Sequence, residues 1–300
     1  MALWVAACCM LMLCSSFSGV EGIGVSYGMI ANNLPSPDKV IELYKSRPGP
    51  PGLGPVLRRV LVALYVAPFA GAVRFRYITA GNEVIPGPDA AHVLPAIQNL
   101  EAALRSIGLA TAPVVTTSVA TSVLGASYPP SQGAFSEAAM HAVGPIASFL
   151  ASRSAPLLVN VYPYFAYAAD PATVRLDYAL LSAASGEAAA VVTDGGVAYG
   201  NMFDAILDAV EVVVSETGWP SAGGGLGASV ENAAAYMNNV VRHVGHGTPR
   251  RPGKAVETYL FAMFNENQKP EGIEQNFGLF RPDMTEVYHV DFAAAAGASC

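Results

Sequence analysis

The chain has 300 residues, 13% of them charged and 52% hydrophobic, and its formal net charge is −7. An acidic chain of this kind lacks the basic face that phosphate binding needs, so nucleic acid is excluded as a partner. Three of the four cysteines lie within the first 14 residues and the fourth is Cys300. The residues between them therefore hold neither an internal disulfide framework nor a thiol cluster for a metal.

The first 22 residues have the pattern of a secretory signal peptide. Their apolar run, Ala2 to Cys14, is too short to span a bilayer, and Val20 and Gly22 suit the −3 and −1 positions of a cleavage site. We therefore expect a signal peptide over residues 1–22 and a single secreted domain over residues 23–300. No membrane partner is expected.

Short β-branched runs then alternate with helix-like segments. The predicted strands are Gly24–Tyr27, Phe75–Ala80, Val114–Val119, Leu157–Tyr164, Val212–Ser215 and Tyr259–Phe264. The predicted helices are Ser36–Lys45, Asp89–Ile107, Phe135–Ser152, Asn201–Val210 and Ser229–His243. This alternation predicts an α/β fold with a parallel sheet, either a closed barrel or an open doubly wound sheet. Six strands are two fewer than a closed barrel of this type requires.

At two places in the pattern, consecutive elements are connected in a way that is not typical of a loop, as if a segment between them were missing. Seven of the eight residues from Pro48 to Pro55 are proline or glycine, which neither a helix nor a strand interior tolerates. Further on, the predicted helix that ends at Val210 runs into the strand Val212–Ser215 with almost no connection, although such loops usually take about 2–6 residues.

Two predicted strands end in a glutamate carried on a turn, Glu83 in FRYITAGNEV and Glu216 in EVVVSETGWPS. Catalytic groups gather at the carboxyl ends of parallel strands, and a facing pair of carboxyl groups is the arrangement that hydrolyses glycosidic bonds. Asn82 can bind a sugar hydroxyl. Flat faces for sugars are available on four further side chains, Tyr162, Tyr164, Phe165 and Trp219.

A third polar cluster follows the last strand, in FNENQKPEGIEQNFGLF. It is either a solvated loop that ends at Pro270 or a source of charge for the same cleft, through Glu266, Lys269 and Glu274. Spacing alone leaves both interpretations open.

Two other motifs favour different functions only weakly. Gly24 to Gly28 fits the G-x-S-x-G elbow of serine hydrolases around Ser26, but no helix follows directly. Gly223, Gly225 and Ala228 imitate a dinucleotide fingerprint, but ETGWPSA separates them from the strand.

Several long motifs resemble the plant family 17 glycoside hydrolases, and more narrowly their endo-1,3-β-glucanases. They are GVSYGMIANNLPSPDKVIELYKS, FRYITAGNEVIPG, ASFLASRSAPLLVNVYPYF, VVVSETGWPSAGG, RHVGHGTPRRPGK and FAMFNENQKPEGIEQNFGLFRPDM. The resemblance covers most of residues 23–292.

The resemblance implies a (β/α)8 TIM-type barrel and a retaining hydrolysis of 1,3-β-glucan by a monomer. Glu83 would be the acid/base and Glu216 the nucleophile, with their carboxyl groups ~5–5.5 Å apart. Neither a metal nor an organic cofactor is implied. The implied substrate-binding residues are Tyr27, Asn82, Tyr162, Tyr164, Phe165, Trp219, Glu266, Lys269, Glu274 and Phe277.

The chain also departs from the family pattern. The Pro/Gly stretch stands where the second and third strands are expected, a loss of about one strand–helix–strand unit, roughly 30 residues. A shorter loss falls before Val212. We therefore expect an incomplete barrel, in which the first and fourth strands pair directly or keep exposed edges, and a protein of reduced stability or activity.

Three points stay open from the sequence. The substrate could be 1,3-1,4-β-glucan, the chain could be a non-catalytic glucan-binding relative, and its location could be the apoplast and cell wall or the vacuole.

Overall fold

The computed structural model describes residues 11–13, 23–26, 33–34, 75–107, 112–183, 191–210 and 213–294. The predicted helix Ser36–Lys45, the Pro/Gly stretch and most of the predicted signal peptide lie outside these ranges. No helix within them is long and apolar enough to cross a membrane.

Six parallel strands form the main sheet, and each coincides with a predicted strand. They are β1 (Ile23–Val25), β2 (Phe75–Asn82), β3 (Val114–Ala120), β4 (Leu158–Asn160), β5 (Val213–Thr217) and β6 (Thr258–Leu260). Their order across the sheet is β2–β3–β4–β5–β6–β1, so every pair of neighbours is parallel. The chain therefore forms part of a TIM-type barrel.

Four of the described helices lie where the sequence predicts them; Pro163–Ala169 and Leu176–Ala179 were not predicted, and the first of these begins within the predicted strand Leu157–Tyr164. The α-helices are Ala90–Ile107, Glu137–Ala151, Pro163–Ala169, Leu176–Ala179, Met202–Ala209 and Val230–His243. Three of them begin at a side chain that accepts a hydrogen bond from a backbone N–H of the first turn, namely Ser136, Asn201 and Ser229. Such caps satisfy N–H groups that the helix leaves unpaired, which fixes where each helix starts.

Small elements complete the connections. The short antiparallel strand pairs are Leu124–Ala126 with Ala134–Phe135, Val192–Asp194 with Val197–Tyr199, and Gly247–Thr248 with Arg251–Pro252. The 3₁₀ turns are Thr121–Val123, Pro130–Gln132, Val244–His246 and Ile273–Gln275.

The free side of β2 is covered by a segment that we predicted to be a signal peptide. Residues Leu11–Leu13 form a strand, here called the N-terminal strand, that pairs antiparallel with β2 through Leu11 and Ile78 and through Met12 and Tyr77. It also lies close to β1, although no strand pairing joins the two. The expectation that β1 and β2 pair directly or leave both edges bare is therefore wrong for β2.

The sheet is curved, as contacts between side chains of distant strands across its concave face show. Tyr77 of β2 and Tyr259 of β6, three strands apart, have ring centroids 6.4 Å from each other. Both hydroxyl groups donate to Glu257, Tyr77 over 3.0 Å and Tyr259 over 2.9 Å. This contact closes the floor of the barrel interior even though the ring of strands is incomplete.

The two faces of the sheet differ in chemistry. The convex face is apolar and packs under the helices; its buried side chains include Ile78, Val115, Val159, Val214 and Leu260. The concave face carries buried small polar side chains above the tyrosine floor; they include Ser26, Thr116, Ser118, Asn160 and Ser215. Hydrophobic burial therefore drives helix packing, whereas the interior is held by hydrogen bonds.

Candidate active site

Glu83 and Glu216 both lie at the carboxyl end of the sheet, but in different environments. Glu83 follows the last residue of β2 and has a left-handed backbone with φ 56°. Its N–H donates to the carbonyl of Ser118 on β3 over 2.9 Å, which anchors the turn. Glu216 lies within β5 beside an irregularity in the pairing with β4, and only 5% of it is exposed.

Two asparagine side chains connect the two carboxyl groups. Asn82 Nδ2 donates to Glu216 Oε1 over 3.0 Å. Asn160 Nδ2, at the end of β4, donates to Glu83 Oε1 over 2.7 Å and to Asn82 Oδ1 over 3.0 Å. A continuous chain of side-chain hydrogen bonds therefore runs from one glutamate to the other.

Two buried serine hydroxyls lie beneath Asn160. Ser118 of β3 and Ser215 of β5 both contact Asn160 Oδ1, over 2.8 Å and 2.7 Å, and they also contact each other. A carboxylate accepts hydrogen bonds only, so the face of Asn160 toward Glu83 must carry its amide nitrogen. Its oxygen then accepts from the hydroxyls, which fixes the orientation of the side chain.

Burial controls the ionisation of Glu216, whose pKa it raises to about 7. The hydrogen bond that Tyr162 donates to Oε2 over 2.6 Å lowers that pKa, the nearby Glu83 charge raises it, and Lys269 and Asn82 lower it. The pKa of Tyr162 is raised by its own burial and by the Glu216 charge, so its hydroxyl stays protonated as a donor. The ionised form of Glu216 is therefore opposed by burial and supported by Tyr162, Lys269 and Asn82.

The charged cluster after the last strand belongs to the same site. Lys269 Nζ lies 3.6 Å from Glu266 and 3.8 Å from Glu274, and 4.5 Å from the centre of the Phe261 ring. The charge of Lys269 partly offsets the raised pKa of Glu216 and so favours its ionised form. Of the two interpretations that the sequence left open, the structure favours the one in which this loop supplies charge to the cleft.

The predicted aromatic residues fall into two groups. Phe165 is 43% exposed and contacts Tyr162 and the buried Phe277, with ring centroids 5.5 Å and 6.4 Å away. Trp219 and Tyr164, in contrast, are 0% and 1% exposed and pack on each other. Neither of these two rings presents a face to solvent, so in this structure they support the site from within the core.

The remaining predicted residues and motifs are placed as follows. Tyr27 lies outside the described residues. Ser26 is fully buried, and its hydroxyl donates to the carbonyl of Ser215, so it cannot act as an exposed nucleophile. Gly223, in the glycine-rich motif, packs against Gly272, where a side chain would collide with backbone. This close approach of the two backbones is sufficient reason for a glycine at position 223, and no bound nucleotide is needed to explain it.

Sequence reasoning missed Asn160, Ser118 and Ser215. Asn160 stood in the motif VNVYPYF, inside the predicted strand Leu157–Tyr164; the structure ends that strand at Asn160, and the usable signal was Pro163, which begins a helix. The serines offered none, because small polar residues inside a strand are ordinary and only the register between β3, β4 and β5 brings them together.

The pair of glutamates, with its amides and tyrosine, has the composition of a glycosidase site. The family model for Glycosyl hydrolases family 17 matches residues 56–292. The chain belongs to this family. A Hordeum vulgare protein assigned by name to the glucan endo-1,3-beta-glucosidases is 63% identical over 325 aligned positions, which cover 93% of this chain and 99% of that protein. A Vitis vinifera glucan endo-1,3-beta-glucosidase is 42% identical, with 92% and 93% covered.

A solved family 17 relative has the same fold. This chain matches a beta-1,3-glucanase and allergen of Cryptomeria japonica pollen with a TM-score of 0.80 at 37% identity, covering 91% of this chain and 99% of that one. The alignment with the barley relative bears on the predicted losses. Because 93% of 300 residues is about 279, an alignment of 325 positions leaves about 46 positions of that relative without a counterpart here. Family 17 relatives are thus longer within the matched span.

Proposed function

We propose that this family 17 chain is a retaining endo-hydrolase of 1,3-β-glucan, with Glu216 as nucleophile and Glu83 as acid/base. The observation that carries the proposal is the bridge of Asn82 and Asn160 between the two carboxyl groups. Glu216 is only 5% exposed, and it lies beside Glu83, which is exposed to solvent. Burial of a carboxyl group next to another one costs free energy, and a purely structural role does not explain that cost.

In the first step, an oxygen of ionised Glu216 attacks the anomeric carbon while the bond to the leaving sugar oxygen breaks. Glu83 gives its proton to that oxygen, so the aglycone leaves as an alcohol and a glycosyl ester of Glu216 forms. This step requires Glu216 to be ionised and Glu83 to carry a proton. Burial favours the protonated form of Glu216, and the hydrogen bonds from Tyr162 and Asn82 oppose that effect, because both stabilise its ionised form.

In the second step, Glu83, now a carboxylate, takes a proton from water, and the oxygen of that water attacks the anomeric carbon. The ester bond to Glu216 breaks, and its carboxylate is restored. Two inversions give net retention of the β configuration. The expected ~5–5.5 Å between the carboxyl groups belongs to this proposal.

The proposed substrate follows from the relatives. The 63% identical barley protein is named for 1,3-β-glucan, and a barley protein named Lichenase-2 is 42% identical, so 1,3-linked glucan is the first choice. Phe165 provides an exposed ring on which a sugar can stack. In this proposal Asn82 bonds the 2-hydroxyl, and Lys269, which forms ion pairs with Glu266 and Glu274, supplies charge to the cleft.

The proposal also includes a cellular location and a reduced stability of the folded chain. The predicted signal peptide supports export to the apoplast and cell wall, where a glucanase serves in defence, while a tobacco relative named as a vacuolar isoform supports the vacuole. We expect the missing segments to lower the free energy of unfolding and to leave the geometry of the site unchanged. The reason is that the residues that bond the glutamates all lie on β2, β3, β4 and β5 or directly after these strands.

The test is covalent trapping. A laminaribiosyl donor with fluorine at C2 and a fluoride leaving group slows the second step, so a retaining enzyme accumulates the glycosyl ester. Peptide mapping by mass spectrometry should place the label on Glu216, and the Glu216→Gln variant should take up none. Parallel assays with laminarin and with barley 1,3-1,4-β-glucan decide the linkage.

Each result has one meaning. A label on another carboxyl group would overturn the assignment of the nucleophile. Binding of laminarin without any hydrolysis or labelling would instead identify a non-catalytic glucan-binding protein.

A further inference from the structure

The side chain of Asn160 is held on both sides by groups that leave it no freedom. It lies at the end of β4 and is only 2% exposed. Its oxygen faces the hydroxyls of Ser118 and Ser215, which are themselves fully buried. Its nitrogen faces Glu83 Oε1 and Asn82 Oδ1. A rotation of the amide would place its oxygen against the Glu83 carboxylate and lose all these bonds.

This arrangement treats the two oxygens of Glu83 differently. Oε1 accepts a 2.7 Å hydrogen bond from a rigid donor. A proton on Oε1 would point at that donor and forfeit the bond, whereas a proton on Oε2 leaves it intact. The proton of Glu83 is therefore directed to Oε2.

The same amide also acts on the other carboxyl group, through Asn82. Because Asn160 donates to Asn82 Oδ1, the nitrogen of Asn82 is turned toward Glu216 Oε1. One amide thus sets the orientation of the donor to Glu216 and the choice of oxygen on Glu83.

We propose that Asn160, fixed by Ser118 and Ser215, is a positioning residue that reserves Oε2 of Glu83 for proton transfer in both steps. This inference rests on the proposed function for the roles of the glutamates. Removal of the Asn160 donor takes away the hydrogen bond that keeps Oε1 as an acceptor. The proton is then no longer confined to one oxygen.

The experiment compares Asn160→Ala and Asn160→Leu with the wild-type chain. Asn160→Leu removes the donor, keeps about the volume of the side chain and adds no second buried carboxyl group beside Glu83, so it guards against a variant that fails to fold because of a cavity. Loss of a hydrogen bond to a charged group predicts a fall of about 10- to 100-fold in kcat on laminarin, with KM within about threefold of the wild type.

Two further measurements separate positioning from general damage. On a dinitrophenyl laminaritrioside, whose leaving group needs no proton, kcat/KM should fall less than about threefold, because it reports only the first step. Ser118→Ala and Ser215→Ala together should reproduce part of the laminarin defect. Thr116→Val is the matched control: it also removes a buried hydroxyl from β3, one that donates to the carbonyl of Pro156 and not to Asn160.

The inference is overturned if folded Asn160 variants lose the same factor on both substrates. A readout independent of activity keeps it distinct from the proposed function. In a crystal structure of Asn160→Ala, Asn82 Nδ2 should no longer lie within hydrogen-bond distance of Glu216 Oε1, because Asn82 Oδ1 has lost its donor. If the wild-type chain hydrolyses no glucan but this bond is still lost in the variant, the proposed function fails and the positioning by Asn160 stands.

Discussion

The arc of strands β2 to β6 and the side of the barrel between β1 and β2 are built in contrasting ways. In the arc, side-chain hydrogen bonds join neighbouring strands in addition to the backbone hydrogen bonds of the sheet. Thr117 donates to the carbonyl of Ala80, and Asn160 connects Ser118 with Ser215. On the other side, the described partner of β1 is β6, and β2 is covered by the three residues Leu11–Leu13. The hydrogen bonds that join the two glutamates thus all lie within the contiguous arc.

The first way to test this contrast is to remove the charge at the centre of the arc. Glu216→Gln should lower kcat on laminarin by about 10⁴-fold or more, as loss of a nucleophile does. Glu137→Gln, an exposed position on the helix Glu137–Ala151, is the matched control and should retain wild-type activity. A Glu216→Gln variant with more than about 1% of wild-type kcat would remove Glu216 from the mechanism.

The same substitution should change the pH dependence of stability. The pKa of Glu216 is about 7 in the folded chain, above its ordinary value of 4.5, so the folded state holds a proton that the unfolded state has released. Stability is therefore lost as the pH rises from about 4.5 to 7, by up to about 3 kcal/mol from this group. Urea titrations should show this slope in the wild type and a weaker one in Glu216→Gln.

The second test acts on the other side of the barrel. Replacing residues 46–56 with the strand–helix–strand unit of the barley relative should raise the free energy of unfolding by roughly 3 kcal/mol or more, since it buries new apolar side chains and pairs open edges. The kcat on laminarin should change less than about threefold. A Gly/Ser insert of equal length is the control and should give no gain in urea denaturation.

A large rise in kcat of this chimera would contradict the contrast. It would mean that the spacing of the glutamates depends on closure of the ring, which is what the sequence alone led us to expect.

The third and smallest change removes one hydrogen bond from the arc. In Tyr162→Phe, Glu216 loses the donor at 2.6 Å, which should lower kcat by about 10- to 100-fold with little change in stability. Because that bond lowers the pKa of Glu216, the acidic limb of the pH–rate profile should move to higher pH. Tyr167→Phe, on the same short helix region but without a bond to a glutamate among the described contacts, should keep the wild-type profile.

The sequence predicted the elements of the arc well, and for a physical reason. Alternation of β-branched strands with capped amphipathic helices is a local signal, so all six strands and four of the five predicted helices could be located from it. Glu83 and Glu216 could be located because strand ends in a parallel sheet share one edge.

What the sequence could not give depends on contacts between strands. Whether Trp219 is a sugar platform or a core residue depends on packing by Tyr164 and Tyr236 from elsewhere in the chain. The amide network of Asn160 depends on register. Leu11–Leu13 pair with β2 in this structure, but an apolar segment can cover an open sheet edge as well as form a leader, so the signal peptide over residues 1–22 stays a prediction.

The strained backbone of Glu83 predicts which substitutions would accumulate at this position if selection for hydrolysis were lost. At φ 56° a glutamate is strained, and glycine or asparagine would occupy the same turn at lower cost, by about 1 kcal/mol. A lineage released from selection for hydrolysis would gain stability by drifting to one of these residues, and a chain with a shortened barrel would gain the most from it. Under the proposed function, the carboxyl group of Glu83 is thus held at this turn at the cost of backbone strain.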